Sequence, residues 1–298
     1  MAGTLEALGE IFGNLLKAKM WLVAIASFAV SIGMIIVAVV VAILAAIFAV
    51  LFASMGASGI VLLLLMLFAL GIIGLAAVLI VAGIINGMYV KAAEGLFNKK
   101  DYKLEEMFNA AKAKWKRLAL IILVEGIIVG LIALITLAPA IISFASAFGA
   151  LINDPGALLQ LTAMSGETDP SASISFFMAF FGESLSLLFI GIALMSLVNF
   201  LISPFLVLFL PLVMLENNGV IASIQRAFDL GAKNYLPNLL ILLPVAIFSL
   251  AIGAISFLVS FFSGIGFIAS MVFSFITEIV SFSAATKIYL LNSKTMGK

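Results

Sequence analysis

Long uninterrupted apolar runs dominate the chain, with short polar clusters between them. The runs cover Trp21–Ser54, Ile60–Val90, Leu118–Ile152, Ser184–Leu215, Leu236–Phe262 and Phe267–Leu291, and their only charged members are Glu125, Glu278 and, near the last end, Lys287. About 20 apolar residues cross a ~30 Å hydrocarbon core. Each run therefore predicts one membrane-spanning helix, and several are long enough that they must tilt, kink or protrude. Pro204 and Pro211 are the kink candidates of the fourth span. The runs lack the residue-by-residue alternation of an outer-membrane barrel, and lipid-exposed backbone must pair with itself. The predicted fold is all-α: a polytopic membrane protein of six spans, forming a single integral membrane domain over residues 1–298.

Several segments between the runs are too polar to cross and too regular to be loops. Leu104, Met107, Phe108, Ala111, Trp115 and Leu118 fall at the i, i+3, i+4, i+7, i+11 and i+14 positions of a helix, with Lys and Glu opposite. Asp101 is the candidate N-cap of this helix. Val220, Ile224, Ala227, Phe228, Gly231 and Tyr235 form a similar stripe after Asn217-Asn218-Gly219, and Leu5, Leu8, Phe12 and Leu15 form one before Trp21. The junctions are alike too: Leu16-Lys-Ala-Lys-Met-Trp-Leu22 resembles Leu230-Gly-Ala-Lys-Asn-Tyr-Leu236, and Phe108 and Trp115 match Phe228 and Tyr235 at a constant offset of 120. These likenesses suggest a threefold internal repeat, with units 1–100, 101–216 and 217–298, each an amphipathic interfacial helix feeding a transmembrane hairpin. Trp21, Phe108, Trp115, Phe228 and Tyr235 are its candidate interfacial anchors. A competing explanation is that any amphipathic linker ending at a membrane acquires Lys and Trp.

Charge fixes the orientation. Six spans place both termini on one side, and all 15 basic residues fall on that side, while the opposite connections carry only the acids Asp154, Glu167, Asp169 and Glu183. The positive-inside rule then sets both termini, and all three amphipathic helices, on the cytoplasmic side. The first run exceeds a signal-peptide core and follows Glu6 and Glu10, so it reads as a retained span. Composition agrees, with 65% hydrophobic and 10% charged residues against roughly 45–50% and ~25% in soluble domains. A net charge of +1 gives no reason to expect a nucleic-acid partner.

The stretch Phe209-Leu-Pro-Leu-Val-Met-Leu-Glu-Asn-Asn-Gly-Val-Ile-Ala-Ser-Ile-Gln-Arg-Ala-Phe-Asp-Leu-Gly-Ala-Lys-Asn-Tyr235, with two spans ending in Ala285-Thr-Lys-Ile-Tyr-Leu290, resembles a six-span family. That family includes the membrane domain fused to some glycerophosphodiester phosphodiesterases and related bacterial and archaeal membrane proteins. The likeness is clearest over residues 204–291. It implies an architecture and a prokaryotic cytoplasmic membrane; with no room for a soluble catalytic barrel, phosphodiesterase activity is not carried over.

Candidate chemistry is sparse. The chain has no His and no Cys, which removes the usual proton shuttle, thiol nucleophile, disulfide framework and zinc site. A serine enzyme would lack its base, no pair of intramembrane Asp exists, and no GxxxxGK[ST] phosphate loop appears. No enzyme activity and no cofactor are expected. Glu125 lies eight residues after Arg117 and Glu278 nine before Lys287, roughly 12–14 Å along each helix. A carboxylate at that depth is expected to be protonated, hydrated or bonded to a neighbour. These two acids are the candidate intramembrane polar site, with Asn86, Asn199, Ser203 and Thr277 as helpers; the competing role is interhelical glue. Gly83/Gly87 and Gly126/Gly130 have GxxxG spacing, read as helix packing. The run Ser175–Glu183 either rests in the interface as a short helix or begins span four.

Two functions fit. One is a non-catalytic module that organises membrane lipids or a partner membrane protein; the alternative is a small transporter or channel using the intramembrane carboxylates. The topology is open to direct test because the chain has no Cys of its own. Single cysteines at Ala53 and Gly166 should react with an impermeant thiol reagent added outside intact cells, and one at Asn109 should not. Labelling of Asn109 alone would overturn the orientation.

Overall fold

The computed structural model describes residues 2–53, 57–154, 156, 170–216, 218–260 and 265–295. Sequence readings at positions such as Gly166, Glu167, Asp169 and Asn217 lie outside the described residues. Within them the chain is all-α, with helices α1 (Ala2–Gly13), α2 (Ala18–Ala53), α3 (Ala57–Phe97), α4 (Leu104–Ala113), α5 (Trp115–Asn153), α6 (Pro170–Leu206), α7 (Phe209–Leu215), α8 (Val220–Lys233), α9 (Tyr235–Ser260) and α10 (Ile265–Thr295). A 3₁₀ turn, Asn14–Leu16, joins α1 to α2. Six segments are long and apolar enough to cross a membrane, the fourth formed by α6 and α7 together. The chain is thus an all-α polytopic membrane protein.

Local chemistry explains where the helices outrun or break the apolar runs. Helix α3 continues past Val90 to Phe97 because Lys91 and Glu94 pair across one turn at 2.8 Å, so neither charge ends it. The fourth span breaks at Val207–Leu208, between Pro204 and Pro211, neither of which has an N–H to give the helical ladder. Ser175–Glu183 lies inside α6, so it begins that helix rather than forming a separate one. Asp101 does not cap α4. It pairs with Lys19, while the backbone N–H of Lys103 donates to Glu106 Oε2 at 3.0 Å and closes the first turn.

The chain divides into two compact units, residues 1–124 with 203–298, and residues 125–202. In the first, α10 is the hub: it packs against α9, α3, α1, α2 and α7. It is also the least hydropathic of the six spans and the one with the largest buried share. Lipid tails match apolar side chains as solvent, so a span surrounded by protein can trade apolar bulk for small and hydroxyl residues that let helices approach and bond. Ser283, Ala284 and Thr286 of α10 are fully buried, and Asn14 Nδ2 donates to Ser283 Oγ at 3.1 Å, tying the N-terminal segment to the hub. Away from this end, α2 and α3 leave Val37, Ile43, Ile47, Leu64, Phe68 and Ile72 exposed.

The second unit is an antiparallel pair of helix segments. Ser143 and Ser184 hydroxyls meet at 2.8 Å, a Cβ on Gly191 would lie 2.7 Å from the Thr136 carbonyl, and Phe181 stacks among Phe144, Phe148 and Phe177. It contains none of the 15 basic residues.

Only part of each amphipathic stripe is buried against protein. On α1 the buried residues are Ala7 and Ile11, with Asn14 beyond, whereas Leu5 and Leu16 are exposed. On α4 Met107 and Ala111 face inward while Leu104 and Phe108 are exposed; on α8 Ser223, Ala227, Leu230 and Gly231 face inward while Ile221 and Phe228 are exposed. Each stripe is thus divided between buried residues and large apolar residues that keep exposed area. At the offset of 120, buried Met107, Ala111, Leu118 and Ile121 fall on buried Ala227, Gly231, Asn238 and Ile241, and the helix breaks at Lys114 and Asn234 coincide. The first junction departs from this, breaking at Lys17, four residues before Trp21.

Of the two GxxxG pairs only the first is a close contact. A Cβ on Gly83 would lie 3.0 Å from the Ala119 backbone nitrogen, and one on Gly87 2.9 Å from Leu118 Cδ1, whereas one on Gly126 or Gly130 would meet nothing within 4 Å among the described residues. Gly83→Val should therefore destabilise the detergent-solubilised protein by about 1–3 kcal/mol through overpacking, and Gly130→Val should leave the thermal midpoint nearly unchanged. Equal shifts for the two would show that close approach at Gly83 does not hold α3 to α5.

Candidate functional site

Two cavities open between α2 and α3. The larger, about 520 Å³, is walled by Val23, Ala26, Ser27 and Val30 of α2, by Val81, Ile84, Ile85 and Met88 of α3, and by Leu104, Glu105 and Phe108 of α4. Each spanning helix contributes positions i, i+3, i+4 and i+7, one face of each, and α4 lies across the end. The wall is apolar apart from Ser27 and Glu105, and Val30, Leu104 and Phe108 keep exposed area, so the slot is open to its surroundings.

The second cavity, about 310 Å³, shares Ser27, Val81 and Ile85 with the first and adds Ser31, Asn86 and Glu278 among its walls. It brings two of the sequence-predicted polar residues together. Glu278 Oε2 accepts a hydrogen bond from the Tyr89 hydroxyl at 3.0 Å, and the fully buried Tyr89 ring stacks on Phe282 at 5.0 Å. Glu278 is thus bonded to a neighbour, as an acid within a span requires. Among the described residues the Thr277 hydroxyl donates within its own helix, to the Phe273 carbonyl. Glu125 and Asn199 belong to the other compact unit: Glu125 has no hydrogen bond or ion pair among the described residues, and the buried Asn199 Oδ1 has no partner there.

The aromatic anchors divide in the same way. Trp21 Nε1 donates to the Leu15 carbonyl at 2.7 Å, and the Trp115 ring sits 5.6 Å from the Lys116 ammonium. Phe108 lines the large cavity. Phe228 and Tyr235 instead gather round Phe205, at 5.3 and 5.7 Å between ring centroids.

A polar clasp joins four elements at the end that carries the basic residues. Lys114, in the break between α4 and α5, donates to the carbonyls of Met214 and Glu216 at 2.8 Å each and Val213 at 3.5 Å. An ammonium has three protons, and here they meet three carbonyls at the C-terminal end of α7, where a helix leaves its last carbonyls without intrahelical partners. Burial, then the charges of Arg117 and Lys91, hold the Lys114 ammonium below the usual lysine range, and the three carbonyls oppose that shift. The Glu216 carboxylate accepts from Asn218 Nδ2 at 2.7 Å and from the Tyr289 hydroxyl at 3.2 Å, and pairs with Arg226 at 3.2 Å. Arg117 donates to the Asn218 carbonyl at 3.2 Å. The sequence offered little warning of these contacts, since Lys114 and Met214 stand 100 residues apart.

Comparison with family models, curated proteins and solved structures returns no match. Lys114→Met should leave three carbonyls at the end of α7 unmet and cost about 1.5–3 kcal/mol, the usual worth of hydrogen bonds to a charged group. A thermal midpoint equal to that of the unaltered chain would show that the clasp does not support the fold.

Proposed function

We propose that this protein is a non-catalytic module of a prokaryotic cytoplasmic membrane that binds and organises lipid, with the basic end facing the cytoplasm. One observation carries the reading: the 520 Å³ apolar slot between α2 and α3, lying across which is the amphipathic helix α4. Its volume falls in the range of small-molecule pockets, roughly 300–1,000 Å³, and apolar walls within a span suit a hydrocarbon chain. On this reading α1, α4 and α8 are interfacial helices, and the shared burial pattern of the second and third supports duplication of one unit. The likeness of residues 204–291 to the six-span membrane-domain family belongs to the same proposal.

A second reading rests on the smaller cavity, where Ser27, Ser31 and Asn86 share the walls with Glu278. Polar groups gathered in a span mark ion and proton paths, so a small transporter that uses this carboxylate is the alternative.

One preparation tests both. After detergent exchange, native mass spectrometry should find lipid retained by the unaltered protein, and Ala26→Trp, which fills the slot, should lose it while keeping the fold. Retention unaffected by Ala26→Trp would sink the slot as the lipid site. In proteoliposomes, Glu278→Gln and Glu125→Gln should leave folding intact and show no transport phenotype. Acid-driven ion uptake abolished by Glu278→Gln would instead establish the transporter.

A further inference from the structure

The same faces of α2 and α3 that wall the apolar slot continue to the basic end. On α2 the stripe Lys19, Val23, Ala26 and Val30 runs along one side, and on α3 Met88 leads by helical steps to Gly95 and Leu96. There a third hollow, about 350 Å³, is lined by Lys17, Lys19, Lys99 and Lys100, with Asp101 the sole acid among its lining residues. Asp101 pairs with Lys19. Lys17, Lys99 and Lys100 have no ion pair among the described residues, which leaves three uncompensated cations lining the hollow. Lys19 to Val30 is 11 residues, about 16 Å of helix, close to half of a ~30 Å hydrocarbon core and so the depth of one leaflet.

Backbone strain marks the same spot. Lys99 ends α3 in the left-handed region, at φ 55°, where the Lys100 N–H returns to the Gly95 carbonyl at 2.7 Å. Glycine is the usual residue there, since a side chain is strained in that conformation. The chain instead carries a lysine whose side chain lines the hollow. The lysines of α4 and its exit have other occupations: Lys112 lies 5.9 Å from the Phe108 ring, Lys116 lies beside Trp115, and the protons of Lys114 are taken by carbonyls.

We propose that α2 and α3 hold one anionic phospholipid of the leaflet on the basic side, with its phosphate at Lys17, Lys99 and Lys100 and an acyl chain in the apolar slot. The inference rests on the lipid-binding reading above and adds the headgroup class and its ligands. Charge complementarity selects this occupant, because an uncharged chain would gain nothing from the lysines and a free anion would leave the slot unused.

The test uses the full chain in detergent, offered dioleoyl phosphatidylglycerol, dioleoyl phosphatidylcholine or inorganic phosphate, with native mass spectrometry and thermal unfolding as readouts. Phosphatidylglycerol should be retained in preference to phosphatidylcholine and should raise the thermal midpoint. Removing one lysine should weaken its retention roughly fivefold, following about 1 kcal/mol per basic residue near an anionic surface. Lys99→Gly separates binding from folding: it should weaken the preference for phosphatidylglycerol by that roughly fivefold factor while keeping or raising the thermal midpoint of the lipid-free protein. Lys17→Gln with Lys100→Gln should lose the same preference without relieving strain. Equal retention of the two lipids overturns the headgroup site and leaves lipid binding standing; retention of neither overturns both. A midpoint raised as much by inorganic phosphate as by phosphatidylglycerol overturns the lipid in favour of a free anion.

Discussion

Helix association in this protein has to work without the force that folds soluble proteins. A side chain leaving lipid for a neighbouring helix exchanges one hydrocarbon surface for another, so close approach and hydrogen bonds must hold the bundle. The buried positions follow that constraint. Gly83 and Gly87 bring α3 against the start of α5, the small residues of α10 form its inner face, and Asn14 reaches Ser283. Along the far halves of α2 and α3, by contrast, the large apolar side chains are exposed.

The same constraint makes the clasp around Lys114 and Glu216 structurally central. It lies where helices begin and end, so backbone carbonyls without helical partners gather there, and one lysine meets three of them. Through these contacts the α4–α5 junction, α7, α8 and α10 are joined by bonds that lipid cannot replace. An apolar replacement would have no such advantage in hydrocarbon.

Sequence and structure agree most where the physics is one-dimensional. Six spans follow from the lengths of apolar runs, and the Pro204–Pro211 break follows from two missing N–H groups. Facing was harder to read. The stripe of Leu5, Leu8, Phe12 and Leu15 identified an amphipathic helix, yet the inward residues are Ala7 and Ile11, because hydrophobicity does not tell a protein neighbour from a lipid one. The GxxxG spacing has the same ambiguity, since the motif at Gly83 meets a helix and the one at Gly126 meets nothing within 4 Å. Glu278 stood out as an acid in an apolar run, and Asn86 shares its cavity, but its partner Tyr89 is 189 residues away in sequence. The larger cavity had no sequence signal, because apolar residues on two faces look the same whether the helices touch or part.

The lengths of α2 and α3 have a mechanical consequence. At 36 and 41 residues they measure about 54 and 61 Å at 1.5 Å per residue, well beyond a ~30 Å core. A rod longer than the slab it crosses must lean, bend, protrude or thicken the slab around it, and the exposed far halves of this hairpin offer little protein contact to resist leaning. Where the excess length is taken up by leaning, bilayer thickness sets the tilt of the hairpin whose base holds the slot.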